Sequence, residues 1–110
     1  MGVFHRKKES EKAVDDREQI DANARAVEVL IVLADKNAAL VAQLRALQEQ
    51  LKYLTPSADS AVTKYDQKIK HLIEDLKIVL TRADNGQTPP KAIDGIMQIK
   101  VAILERNAKR

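Results

Sequence analysis

Residues 27–54 read VEVLIVLADKNAALVAQLRALQEQLKYL, and the spacing of their apolar side chains decides the fold. Leucines recur three and four residues apart, which is the period of a helix with one apolar face. This leucine seam comprises Leu30, Leu33, Asn37, Leu40, Leu44, Leu47, Leu51 and Leu54. A second seam with the same spacing comprises Ile20, Ala24, Val27, Ile31, Ala34, Ala38 and Val41. Two seams on one helix predict two helical neighbours, because a single partner would leave one seam in water.

Asn37 interrupts the leucine seam and allows two interpretations. Within a coiled coil, one buried Asn selects the pairing register at some cost in stability. Within an intramolecular bundle, such an Asn instead hydrogen-bonds to a neighbouring side chain or to water. The second seam favours the bundle, since a two-stranded zipper would not cover it.

Proline and glycine divide the chain into three predicted helices. Pro56 disfavours the helical conformation at Thr55 and ends the first helix. The segment DNGQTPP at 84–90 contains Gly86, which suits a helix end, and Pro89, which suits a helix start. We therefore predict an all-α fold, a three-helix antiparallel bundle with helices at about 10–54, 57–84 and 89–108. A basic, flexible N-terminus at 1–9 precedes this single helical domain at 10–110.

The predicted helices differ in length, and this difference predicts self-association. At 1.5 Å per residue they span about 65, 40 and 30 Å, so the over-long first helix projects beyond the bundle before Val27. A second copy is the simplest cover for this surface, because two-fold dimers are the commonest assemblies. The alternative is a monomer whose first helix bends, frays before Val27 or folds back. The predicted interface comprises Ile20, Ala24, Val27, Ile31, Ala34 and Asn37.

The two later helices also carry apolar faces. The second helix has a seam at Ala58, Val62, Tyr65, Ile69, Leu72, Leu76, Val79 and Ala83. In the third helix the apolar residues cover about half the circumference, and Met97 is predicted to fill the core. Lys100 lies near the middle of that face, where a lysine buries its stem and carries its ammonium group to the rim.

The inventory of chemical groups is sparse. The chain has no Cys, and its three glycines do not form a phosphate-binding loop. His71 precedes Glu74 and Asp75 on one helix, but this arrangement is equally typical of solvated pairs. We therefore predict a non-enzymatic protein with no catalytic residue, no cofactor and no metal site. The predicted function is a protein–protein interaction or scaffold module that self-associates or docks another helical protein through coiled-coil-like seams.

The formal net charge of +3 is concentrated after residue 86. Arg106, Lys109 and Arg110 form a short basic end, and the alternative function is a nucleic-acid-binding accessory factor that uses this basic C-terminal helix. At the other end, Phe4 beside Arg6-Lys7-Lys8 predicts at most a weak peripheral contact with an anionic membrane. The longest apolar run has six residues, which is too short for a transmembrane segment. The absence of Cys fits a reducing compartment, so we expect a cytoplasmic protein.

Overall fold

The computed structural model describes residues 9–83 and 89–109 of the chain. This part of the protein is all-helical and contains no strand. Its four helices are α1 (Glu9–Leu33), α2 (Ala38–Lys52), α3 (Ser60–Arg82) and α4 (Pro90–Ala108). Residues 1–8 of the basic N-terminus predicted at 1–9 and the Gly86 helix end lie outside the described residues, and Glu9 begins α1.

The prediction of three helices with an over-long first helix is wrong, because the segment 10–54 is two helices. α1 ends at Leu33, and a short turn at 34–37 separates it from α2. Asn37 is the N-cap of α2: its backbone is extended and its side-chain Oδ1 accepts from the Leu40 N–H at 3.1 Å. The cap satisfies a backbone N–H that the start of a helix leaves without an intrahelical partner. α3 and α4 occupy the segments of the two later predicted helices.

The four helices alternate in direction along one bundle. Gln48 of α2 donates to the Ala24 carbonyl of α1 at 2.9 Å, as two antiparallel helices joined by a short turn allow. α3 and α4 form the second antiparallel pair, in which Lys68 meets Glu105 at 3.3 Å. The two pairs pack side by side through contacts of α1 with α3 and of α2 with α4. No helix within the described ranges is long and apolar enough to cross a membrane.

The bundle axis is filled by aliphatic side chains from all four helices. α1 contributes Ile20, Val27 and Leu30, each with no exposed surface. α2 contributes the leucines of the predicted seam, and α3 and α4 contribute mainly isoleucine and leucine. The fully or almost fully buried core also includes Leu40, Leu44, Leu47, Leu51, Ile69, Leu76, Ile96, Ile99 and Ala102.

Candidate functional site

Arg106 lies near the C-terminal end of α4 with none of its surface exposed. Two aspartates from different helices hold it, Asp16 of α1 and Asp66 of α3, and their side chains are each 2% exposed. We call these three residues the arginine cluster. A wholly buried guanidinium between two buried carboxylates is the most unusual chemical feature of the described chain, since such groups are rarely buried unless paired.

The hydrogen bonds of the arginine cluster join three helices and one connection. Arg106 Nε donates to Asp66 Oδ1 at 2.9 Å, and Arg106 Nη2 donates to Asp16 Oδ2 at 2.8 Å. The same Nη2 donates to the Thr55 carbonyl at 3.1 Å, and the Ser57 N–H donates to Asp16 Oδ2 at 2.8 Å. The cluster therefore ties α1, α3 and α4 to the segment between α2 and α3.

The helical period places each member of the cluster on the buried face of its helix. Asp16 precedes Ile20 by four residues, and Asp66 lies between buried Val62 and Ile69. Arg106 follows Ile103 by three residues. Residues three or four apart share one face of a helix, so each polar group points where an aliphatic side chain would otherwise lie.

Two carboxylates face one guanidinium, so the cluster carries one negative charge when both aspartates are ionised. Asp16 Oδ1 and Asp66 Oδ2 are buried and have no hydrogen-bond partner in the described structure, and neither has Arg106 Nη1. Burial raises the pKa of Asp66 from 3.8 to about 7, and the neighbouring carboxylate of Asp16 adds to this rise. The Arg106 charge acts in the opposite direction without cancelling the effect of burial. The site is suited to holding a proton near neutral pH.

A surface cleft of about 550 Å³ lies beside the two aspartates. Lys12 and Lys64 line the cleft together with Ser57, while Asp16 and Asp66 form part of its wall. The carboxylate oxygens without partners have almost no contact with solvent, so the cleft does not open directly onto them.

The residues predicted as an interface lie inside the single chain. Ile20, Ala24, Val27, Ile31 and Ala34 all belong to the intramolecular core, where α2 and α3 pack against α1. Asn37 is half-buried at the start of α2. The structure thus gathers five of the six predicted residues into one core, and the apolar surface that remains exposed lies elsewhere.

The other residues that the sequence analysis named differ in how far the structure buries them. Lys100 is half-buried on α4, and His71 is exposed, with its Nδ1 3.6 Å from Glu74 Oε2. The expectation that Arg106 belongs to a basic surface is wrong, because the two aspartates enclose it. Met97, predicted to fill the core, is 55% exposed.

An exposed apolar stripe runs along the outer side of α4. Its members are spaced by four, four and three residues and therefore share one face of the helix. We call this surface the α4 stripe; it consists of Ile93, Met97, Val101 and Leu104. Leu104 is 68% exposed, although it is a large aliphatic side chain. Half-buried Leu72 of α3 borders the stripe, in a shallow groove that Met97 and Val101 also line.

Sequence reasoning missed the arginine cluster, although a signal for it exists. Asp16, Asp66 and Arg106 each fall on the apolar period of their own helix, and a charged residue at such a position is unusual. The pairing itself has no local signature, because 40 residues separate Arg106 from Asp66 and 90 separate it from Asp16.

Comparison with known proteins adds no assignment to either surface. No protein family, no curated protein and no solved structure matches this chain. Within the described residues, no group of three or more His, Cys, Asp or Glu side chains is arranged to hold a metal ion.

Proposed function

We propose that the protein is a non-enzymatic interaction module that associates with a second copy of itself through the α4 stripe. The observation that carries this proposal is the stripe itself, four large apolar side chains aligned on the solvent side of a helix. Contiguous exposed apolar surface of this kind marks interaction sites in soluble proteins. The proposed setting is the cytoplasm.

The charges at the edges of the stripe favour a second copy with its α4 in the same direction. At 100° per residue, Lys100 lies at one edge of the stripe, and Asp94 and Glu105 lie at the other. Parallel helices related by a two-fold axis bring unlike edges together, so Lys100 of one copy faces Glu105 of the other. An antiparallel pair would bring the acidic edges together. This is the rule that governs flanking charges in parallel coiled coils.

The size of the stripe indicates a weak, reversible dimer. The four side chains span 11 residues, which is about 16 Å of helix. A stable complex usually buries about 800 Å² on each partner, more than one such stripe offers. We therefore expect dissociation in the micromolar range and a monomer–dimer equilibrium that depends on concentration.

Sedimentation equilibrium over a range of concentrations tests the proposal. Wild type should pass from monomer to dimer, whereas the variant Met97→Glu/Val101→Glu should stay monomeric with an unchanged helical circular-dichroism spectrum. Val32→Glu is the matched control, because Val32 is 66% exposed on α1, away from the stripe. A wild type that stays monomeric at high micromolar concentration would contradict the proposal, and dissociation by Val32→Glu would place the interface on α1 instead.

Charge exchange tests the parallel arrangement. Lys100→Glu and Glu105→Lys should each weaken the dimer by placing like charges opposite each other, and the double variant should restore it. If both single variants and the double variant dimerise like wild type, the parallel arrangement is wrong. Glu105 also pairs with Lys68 of its own chain, so Lys68→Gln serves as the control for loss of that contact.

The alternative, a nucleic-acid-binding factor, was predicted to use Arg106, Lys109 and Arg110, and the first of these is buried. Arg106 points into the bundle, and its guanidinium already donates to Asp16 and Asp66. A phosphate group could reach it only after the cluster opens. Lys91 of α4 and Lys109, which directly follows α4, are exposed. Retention on heparin with a steep salt dependence is therefore the result that would favour the alternative.

A further inference from the structure

When both aspartates of the arginine cluster are ionised, some of their buried oxygens have no hydrogen-bond donor. Within the described part of the chain, Asp16 Oδ1 and Asp66 Oδ2 are buried acceptors without a donor. A buried polar atom without a partner destabilises the fold, and a buried unpaired charge does so more strongly. One proton placed between the two carboxyl groups corrects both defects, because it supplies a donor and removes the excess negative charge.

We infer that Asp16 and Asp66 share one proton, and that loss of this proton as the pH rises through neutrality weakens the attachment of the C-terminal end of α4 to α1 and α3. The inference rests on the geometry of the cluster: two buried carboxyl groups on a single buried guanidinium, each with one oxygen that is closed to water and has no donor among the described residues. It is independent of the proposed dimer.

Among the described residues, no further buried cation is available to replace the proton. Arg106 is the only fully buried basic side chain in the described chain, and it already contacts both aspartates. The connection after α2 supplies a carbonyl and an N–H, while Lys52 at the end of α2 is exposed. The charged side chains that line the adjacent cleft are Lys12 and Asp15 of α1 and Lys64 of α3. Both lysines are exposed, so solvent screens them.

The sign of the pH dependence follows from the direction of the pKa shift. The pKa of Asp66 is raised to about 7 in the folded chain, against 3.8 for the ordinary side chain. The folded chain therefore holds one proton more than the unfolded chain between these values. The stabilisation is complete below the ordinary pKa and is lost as the pH rises through the folded-state pKa. In this range the equilibrium constant for unfolding increases by up to about tenfold per pH unit.

Carbon-13 NMR of the aspartate carboxyl groups tests the proton directly in the full chain. We expect one aspartate carboxyl signal to titrate near pH 7 in the wild type. The Asp66→Asn spectrum should lack this titration. If every carboxyl group titrates below about pH 5, both aspartates are ionised at neutral pH and the inference is overturned.

Urea unfolding between pH 5 and 8 tests the energetic consequence. Asn at position 66 reproduces the protonated aspartate, because its Oδ1 can accept from Arg106 Nε while its Nδ2 donates to Asp16 Oδ1. Asp66→Asn should lack the pH dependence that arises from this site. Its unfolding equilibrium constant should already be about tenfold smaller than that of wild type at pH 5, and the difference should widen up to about pH 7 and then level off. Asp75→Asn, an exposed change on the same helix, should follow wild type at every pH. An Asp66→Asn protein that is less stable than wild type at pH 8 would overturn the inference.

Hydrogen exchange locates the change and separates it from a general loss of stability. After correction for the intrinsic pH dependence, amides at 103–109 should exchange faster at pH 8 than at pH 6 in wild type. This difference should disappear in Asp66→Asn. Amides of α1 around buried Leu30, about 21 Å along the helix from Asp16, are the internal reference. Equal acceleration in both regions would contradict a local role for the proton at the end of α4.

Discussion

Removal of the Arg106 guanidinium should be among the most destabilising single changes in this protein. Arg106→Met keeps much of the aliphatic volume but leaves Asp16 and Asp66 buried without their common cation. Breaking a buried ion pair by removing one partner costs about 3–5 kcal/mol, because the remaining charge stays in a poorly solvating environment. Domains of this kind have a total stability of about 5–15 kcal/mol, so the loss is a large share of the whole.

The expected loss depends on pH, and its direction is fixed by the carboxyl groups left behind. Without Arg106, Asp66 becomes easier to protonate, because the positive charge that lowers its pKa is absent. A protonated carboxyl group carries no charge and is less costly to bury. The destabilisation by Arg106→Met should therefore be smaller at pH 5 than at pH 8.

Urea unfolding followed by circular dichroism measures both effects, and the chain provides a matched control. Lys68 of α3 pairs with Glu105 of α4 at 3.3 Å, but both side chains are about half exposed. Lys68→Met removes an ion pair between helices at the surface and should cost less than about 1 kcal/mol. A loss of under about 1 kcal/mol for Arg106→Met, similar to the control, would refute the claim that burial makes the arginine cluster critical.

Two further predictions concern the local structure that shapes the bundle. Asn37→Ala removes the side-chain acceptor for the Leu40 N–H and should lower the free energy of unfolding in urea by about 0.5–2 kcal/mol. Asn37→Asp keeps an acceptor and should retain the cap. Equal stability of wild type and both variants would contradict the capping role. Gly95→Leu should lower the free energy of unfolding by about 1–3 kcal/mol, because even a Cβ atom at this position would lie 3.2 Å from Leu76 Cδ1. Ala46→Leu, on the exposed face of α2, should change the free energy of unfolding little. Similar losses for the two variants would contradict close packing at Gly95.

The helical class and the helix boundaries next to Pro56 and Pro89 were accessible from sequence, but the turn at 34–37 was not. The leucine seam continues in register across Asn37, so its period is the same for one long helix and for two helices that each bury their leucines. Leu33 shows the difference: it belongs to the seam by spacing, yet it is 40% exposed at the end of α1. Folding back lets α2 cover α1, which removes the surplus apolar surface from which the projecting helix and its dimer were predicted.

The apolar face of α3 was predicted on the correct side of the helix but rotated. Tyr65, Leu72 and Val79 fit the predicted seam by spacing, yet all three are half-buried. Ile73 and Leu80, which lie outside that seam, are buried, and so is Asp66. The predicted seam omits Asp66 because it was chosen from apolar residues only, and a hydropathy pattern assigns every carboxyl group to the solvent-exposed side of a helix.

The same difficulty explains why the candidate site could not be derived from sequence. The apolar residues of α4 cover about half of its circumference, and only the packing of α2 and α3 decides which of them are buried. That packing turns Ile96, Ile99 and Ile103 inward and leaves Met97 and its stripe outside. It also turns Arg106 inward, and a buried arginine requires carboxylates from neighbouring helices. One rotational setting of α4 therefore produces both the exposed apolar stripe and the buried charged cluster.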